Sequence, residues 1–262
     1  MVEHDLPDLV RVRRINDAAA TDETYLALRV SDGGEVAVRV YAHPIDSTRD
    51  RERFDHEIET LGALNDDPHI LTIHDAGVTD SGHPFVVSEF CPSGSLHDRI
   101  ATVGGMTATE VRGIGYKLAG ALARAHERDV YHRNIKPGNI LIDALGEPVL
   151  ADFGLVTLAT SNGDFVMVAQ PRAYTAPEAF LPELMTEAAD IFSLGATLYA
   201  LLAGRAPRAV DPLAVAVDGD TVADLPKVPW TLMTVLRRSM ALDPWDRFAD
   251  AEEFGIALAS GP

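Results

Sequence analysis

Two short segments concentrate the side chains able to handle protons, phosphate or metal. One is Tyr131-His132-Arg133-Asn134-Ile135-Lys136-Pro137-Gly138-Asn139, and the other is Asp152-Phe153-Gly154. Asp152 offers a carboxylate and Asn139 an amide carbonyl. These are oxygen donors of the kind Mg²⁺ takes in small number beside phosphate. Lys136 adds a compact cation. Asn134 carries an amide, which can orient a hydroxyl but cannot accept a proton as a carboxylate does. Other candidates are weaker. His69 and His74 have no third ligand nearby and read as surface or strand residues. Cys91 is the only cysteine, which excludes an internal disulfide and a cysteine-built zinc site.

The elements that must position these residues can be read from pattern. Residues 24–30 and 35–41 alternate as strands, and Asp32-Gly33-Gly34 between them signals a hairpin. Residues 48–64 read as a helix, with Phe54, Ile58, Leu61 and Leu64 on one face. Two short apolar runs, ILTIHDAGV and HPFVVSEF, follow. Pro92-Ser93-Gly94-Ser95 then breaks the chain. After it helical patterns dominate, over 107–128, 187–204 and 229–242. The stripe Ile191, Leu194, Leu198, Leu201 and Leu202 reads as core. A small β-rich first part therefore precedes a larger, mostly helical second part, with no repeats and no low-complexity tract.

Composition narrows the partners. The chain has 262 residues, 47% of them hydrophobic, enough for a buried core. Its formal net charge of −18 repels nucleic acid and anionic membranes. No apolar run is long enough to span a bilayer, and the N-terminus lacks the pattern of a signal peptide. The expectation is a cytoplasmic protein, or the cytoplasmic part of a larger chain ending here at Gly261-Pro262. Lysine is confined to Lys117, Lys136 and Lys227, so arginine carries the basic work of the first part.

Several segments, in order between residues 36 and 247, resemble the signature set of protein kinases, with wording closest to bacterial Ser/Thr members. VAVRV at 36–40 resembles the third-strand V-A-I-K motif, and His56-Glu57-Ile58-Glu59 lies on the following helix. YHRNIKPGNILI at 131–142 resembles the catalytic loop. Asp152-Phe153-Gly154 matches D-F-G, and Ala176-Pro177-Glu178 matches A-P-E. Asp190-Ile191-Phe192-Ser193-Leu194-Gly195 resembles the buried helix of the large lobe. Arg247 stands where the family pairs an arginine with the A-P-E glutamate.

The resemblance implies an α+β, bilobal, protein-kinase-like fold. The N-lobe (1–91) would be β-rich with one main helix, and the C-lobe (92–262) larger and mostly α-helical. It implies Glu89 to Cys91 as a hinge, Ser88 as gatekeeper, and Ala37 and Leu141 on either side of an adenine. Arg39 and Glu57 complete the nucleotide-binding set, with Asn139 and Asp152 as the metal positions.

Against that pattern the chain departs at several points. The stretch Ile15 to Glu23, where the glycine-rich loop belongs, has no glycine, and Asp17, Asp22 and Glu23 place acids where phosphates would lie. Arg39 replaces the third-strand lysine, with a bulkier planar fork. An ion pair of Arg39 with Glu57 is open to a structural or a catalytic reading. Asn134 stands at the catalytic-base position, while Lys136 is retained. Gln170 and Pro171 offer no hydroxyl where active members place a threonine. Arg133 could pair with a phosphate on Thr157, Thr160 or Ser161.

These losses lead to the expectation of a catalytically inactive pseudokinase with no catalytic residues. It would be a signalling scaffold or regulatory module, requiring no cofactor and able at most to take ATP weakly with Mg²⁺ or Mn²⁺. Its partners would be proteins: a partner kinase, a phosphothreonine reader or an adjoining domain. Two alternatives stand beside it: a nucleotide sensor without turnover, and a weakly active or unconventional ATP-dependent Ser/Thr protein kinase resting on Asp152, Asn139 and Lys136.

Overall fold

A computed structural model describes residues 6, 8–16, 22–153, 173–180, 186–207 and 222–260. The described chain forms two compact units, one reaching Pro92 and one beginning at Ser93.

The first unit is a five-stranded antiparallel sheet with one helix. The strands are β1 (Leu9–Arg14), β2 (Glu23–Arg29), β3 (Glu35–Val40), β4 (Ile73–Val78) and β5 (Pro84–Glu89), in the order β1-β2-β3-β5-β4. The expected hairpin joins β2 to β3. Arg29 N–H donates to Gly34 O at 3.0 Å, and Gly33 takes the left-handed φ of +70° that the turn requires. Alternation along β3 sends Val36, Val38 and Val40 into a core with Leu6, Ala27 and Val87. Ala37 and Arg39 therefore share the opposite face. Helix α1 (Thr48–Gly62) is capped by Ser47, whose hydroxyl accepts the Asp50 N–H at 3.1 Å. Its expected face is largely realised: Phe54, Leu61 and the following Leu64 are buried, and Ile58 is half-buried.

The second unit is helical around a small two-stranded ladder. It contains α2 (Leu96–Val103), α3 (Ala108–His126), β6 (Ile140–Ile142), β7 (Pro148–Leu150), α4 (Glu187–Ala203), α5 (Trp230–Ser239) and α6 (Ala251–Ala259). Capping boxes start α2 at Ser95 and α3 at Thr107. Helix α4 is apolar on every side and buried from Ala189 to Leu201, as a central helix must be. Ile191, Leu194, Leu198 and Leu201 of the expected stripe are fully buried, and Leu202 is half-buried. At Gly195 a Cβ would collide with Ser239 Oγ, so α4 and α5 approach as closely as they do only over a glycine. Arg112 ties three helices together, donating from α3 to Leu258 O of α6 at 2.7 Å and to Thr231 Oγ1 of α5 at 3.0 Å. Among the described residues no helix is long and apolar enough to cross a membrane.

Candidate active site

The loop from Tyr131 to Asn139 leaves the end of α3 and returns into β6. Its shape is set by Asp190, in the first turn of α4. Asp190 Oδ2 accepts the His132 N–H at 2.7 Å and faces His126 Nε2 at 3.0 Å, while Oδ1 accepts the Arg133 N–H at 2.7 Å. Burial alone would raise the Asp190 carboxyl. The hydrogen bond and charge of His126, the charge of His132 and the Arg133 N–H outweigh it and hold the group below its ordinary range. His132 is pushed the other way. Complete burial lowers its pKa despite the nearby Asp190 and Asp152 charges. Its ring lies against that of Phe153, tilted by 32° with 4.4 Å between ring centroids.

Two residues of this region hold a left-handed backbone without being glycine, Arg133 at φ +65° and Asp152 at φ +65°. That conformation costs energy for a residue with a Cβ and persists where surrounding bonds over-determine it. At Arg133 those bonds are the ones to Asp190. Asn139 Nδ2 donates to Asn134 O at 2.9 Å, closing the loop on itself. The backbone carbonyl of Asn139 accepts the Ala151 N–H at 2.9 Å, which brings the Asp152 strand end beside Asn139. With its amide nitrogen committed to Asn134, Asn139 keeps its side-chain oxygen as the donor for a cation. Asp152 supplies a carboxylate. This pair fits a hard divalent ion that completes its shell with phosphate and water. Among the described residues no group of three or more His, Cys, Asp or Glu could hold a metal, which covers His69, half-buried, and His74, exposed on β4.

A second buried pair holds the far side of this unit. Arg247, 2% exposed, grips Glu178 with both guanidinium ends, at 2.5 and 2.8 Å. It also donates to the carbonyls of Ala188 and Ala241, so its charge and donors are satisfied together.

In the first unit the β3–β5 register sets Ser88 opposite Ala37 and Val86 opposite Arg39, so Ala37, Arg39 and Ser88 lie on one sheet face. Glu89 is held against the preceding segment: Glu89 N–H donates to Thr72 O at 3.0 Å, and its Oε1 accepts the Thr72 N–H at 3.1 Å. Cys91 is buried. Leu141, in the second unit, is half-buried and pairs with Val149 in the β6–β7 ladder.

Arg39 has a partner that sequence reasoning did not supply. Its Nη2 and Nε donate to Asp22 Oδ2 at 2.7 and 3.2 Å. Glu57 Oε1 stands 3.9 Å from Arg53 Nε on the same helix. Sequence reasoning also missed His126. No motif marks it, and its bond to Asp190 spans 64 positions. Several expectations lie outside the described residues: Asp17 and the alanines after it, Gly154, the loop hydroxyls at 157, 160 and 161, and Gln170-Pro171.

The sequence profile of the protein kinase domain family matches residues 20–240. The chain is 37% identical over 247 residues to the serine/threonine-protein kinase PknK of Mycobacterium tuberculosis, covering 89% of this chain and 22% of that protein. It is 30% identical over 255 residues to the serine/threonine-protein kinase PrkC of Bacillus subtilis, covering 93% of this chain and 39% of the relative. The chain thus spans between a fifth and two fifths of these relatives' lengths. A crystal structure of the Mycobacterium tuberculosis PknI kinase domain superposes with a TM-score of 0.73 at 27% identity, covering 99% of this chain and 98% of that one.

These relatives overturn the expectation of a non-enzyme. Proteins named as Ser/Thr kinases, 30% and 37% identical over most of the chain, point to an enzyme rather than an inactive scaffold. The physical reason lies in how the reaction is accelerated. Phosphoryl transfer depends mainly on positioning and charge neutralisation. A general base contributes only about 10²–10⁴-fold to accelerations that are typically at least about 10⁶-fold. Loss of a carboxylate at the position of Asn134 is therefore no sufficient ground for expecting inactivity.

Proposed function

Because the chain belongs to the protein kinase domain family, we propose that it is an ATP-dependent serine/threonine protein kinase working without a carboxylate base. The observation that carries this reading is the Asp190-anchored loop, in which the Asn139 carbonyl accepts the Ala151 N–H and so sets Asn139 beside the Asp152 strand end. In the transfer, a protein hydroxyl oxygen bonds to the γ-phosphorus as the bond to the bridging oxygen of ADP breaks. Asn134 would orient the hydroxyl. Its proton would leave late, to water or to the transferred phosphoryl group, as suits a loose transition state. Asn139 and Asp152 would hold Mg²⁺ or Mn²⁺. When bound, the ion would supply positive charge to offset that of the phosphates.

Residue by residue, the family's nucleotide positions fall on Ala37, Arg39, Glu57, Ser88, Glu89 and Cys91 in the first unit and Leu141 in the second. Protein substrates are the proposed partners.

Transfer of labelled phosphate from ATP to a generic protein substrate, with Mg²⁺ or Mn²⁺, tests the reading. Wild-type transfer is expected, with Asp152→Ala abolishing it. Asn134→Asp should raise the rate by about 10²–10⁴-fold. Failure of both the wild type and Asn134→Asp to transfer phosphate would overturn the proposal.

A further inference from the structure

The first unit holds a charge pair that the family pattern does not supply. Both Arg39 donors converge on one Asp22 oxygen, and the other oxygen accepts the Ala42 N–H at 3.2 Å. The guanidinium also lies over the Tyr41 ring, 5.0 Å from its centroid. The acid is thus fixed by backbone, and the cation by acid and ring. Asp22 owes its place to strand register. It lies just before β2, on the side of Thr24, which pairs with Arg39 across the β2–β3 ladder. The side chains of Arg39 and Asp22 are 31% and 23% exposed, so a solute anion can reach them.

Asp22 acts on Arg39 through charge: for a second anion approaching the guanidinium, attraction to the cation is offset by repulsion from the carboxylate. An acid in the same sheet also acts at the effective concentration of an intramolecular partner, millimolar even for a flexible tether.

We propose that Asp22 is an internal counter-anion that competes with nucleotide phosphate for Arg39 and so sets the affinity for ATP. The inference rests on reading the chain as an ATP-dependent kinase with Arg39 as its phosphate-binding cation. Asp22→Asn keeps the size of the side chain and removes its charge. Titration of ATP and of adenosine into the wild type, Asp22→Asn, Arg39→Ala and the double variant gives the test.

Asp22→Asn is expected to tighten ATP about fivefold, the scale of a partly exposed charge pair, and to leave adenosine unchanged. In the Arg39→Ala background the gain should vanish. Unchanged or weaker ATP binding by Asp22→Asn overturns the inference, and so does a gain that survives without Arg39. Failure of all four proteins to bind ATP overturns it as well. The kinase reading is judged separately, by labelled-phosphate transfer. Transfer with ATP affinity indifferent to Asp22 discards the counter-anion and keeps the kinase. ATP tightened through Arg39 in a chain that transfers nothing does the reverse.

Discussion

In the second unit Asp190, 1% exposed, faces His126 and receives the N–H groups of His132 and Arg133. In the first unit Asp22, its side chain 23% exposed, receives Arg39 and one backbone N–H. Both are carboxylates fixed by neighbours, but they sit in different media. Around Asp190 water cannot replace a lost partner, so each bond is expensive to break. Around Asp22 water can compensate for a lost partner, so the same kind of contact contributes less to stability.

The largest expected effect breaks the buried side. Asp190→Ala leaves the His132 and Arg133 N–H groups unpaired, at about 1–3 kcal/mol each. Urea denaturation of the variant should show a loss of about 2–6 kcal/mol. A loss below about 1 kcal/mol would mean that water reaches the loop and the contrast between the two sites is false.

A pH series sharpens the same contrast. His132 has its pKa depressed below the ordinary 6.5 by burial, so the unfolded chain binds a proton that the folded chain refuses. Its contribution to stability is complete above about pH 6.5 and is lost progressively as pH falls below it. Asp190, depressed below 3.8, adds a second loss at lower pH, as the medium acidifies through its folded value. Denaturation midpoints at about pH 7.5 and 5.5, on either side of that window, should differ in the wild type and converge in His132→Gln. An identical pH slope in that variant would exclude His132 as the source.

The smallest effect is expected on the exposed side. Asp22→Ala should cost under about 1 kcal/mol in the absence of nucleotide, as other partly exposed ion pairs do. A loss comparable to that of Asp190→Ala would erase the distinction between the two carboxylates.

Much of this is legible in the sequence, for identifiable reasons. Strands β2 and β3, helix α1, helix α3 and the central helix α4 show themselves through alternation, helical spacing and caps. Strand β1 does not. Val10 and Val12 are more than half exposed, and three arginines interrupt the strand's pattern. The β6–β7 ladder is three residues deep, too short for periodicity to show. The loop and D-F-G residues are readable because their types and spacing match a family motif. Asp22 reads from the sequence as an acid near phosphate, but its partner depends on strand register, which residue types do not encode. The expectation of inactivity fails for another reason. It counts each substitution as a lost part, although phosphoryl transfer in general depends mainly on positioning and charge neutralisation.

The backbone turn at Arg133 also has a kinetic consequence. Two consecutive N–H groups converge on a carboxylate 58 and 57 positions away in the chain. The local bond from Asn139 to Asn134 closes the loop, but those two N–H groups reach their acceptor only once α4 has docked. Their hydrogens should then exchange with solvent only through openings that release α4, although the loop lies in an irregular segment. Assembly of the loop from Tyr131 to Asn139 would be a late checkpoint in folding, passed when the central helix is in place.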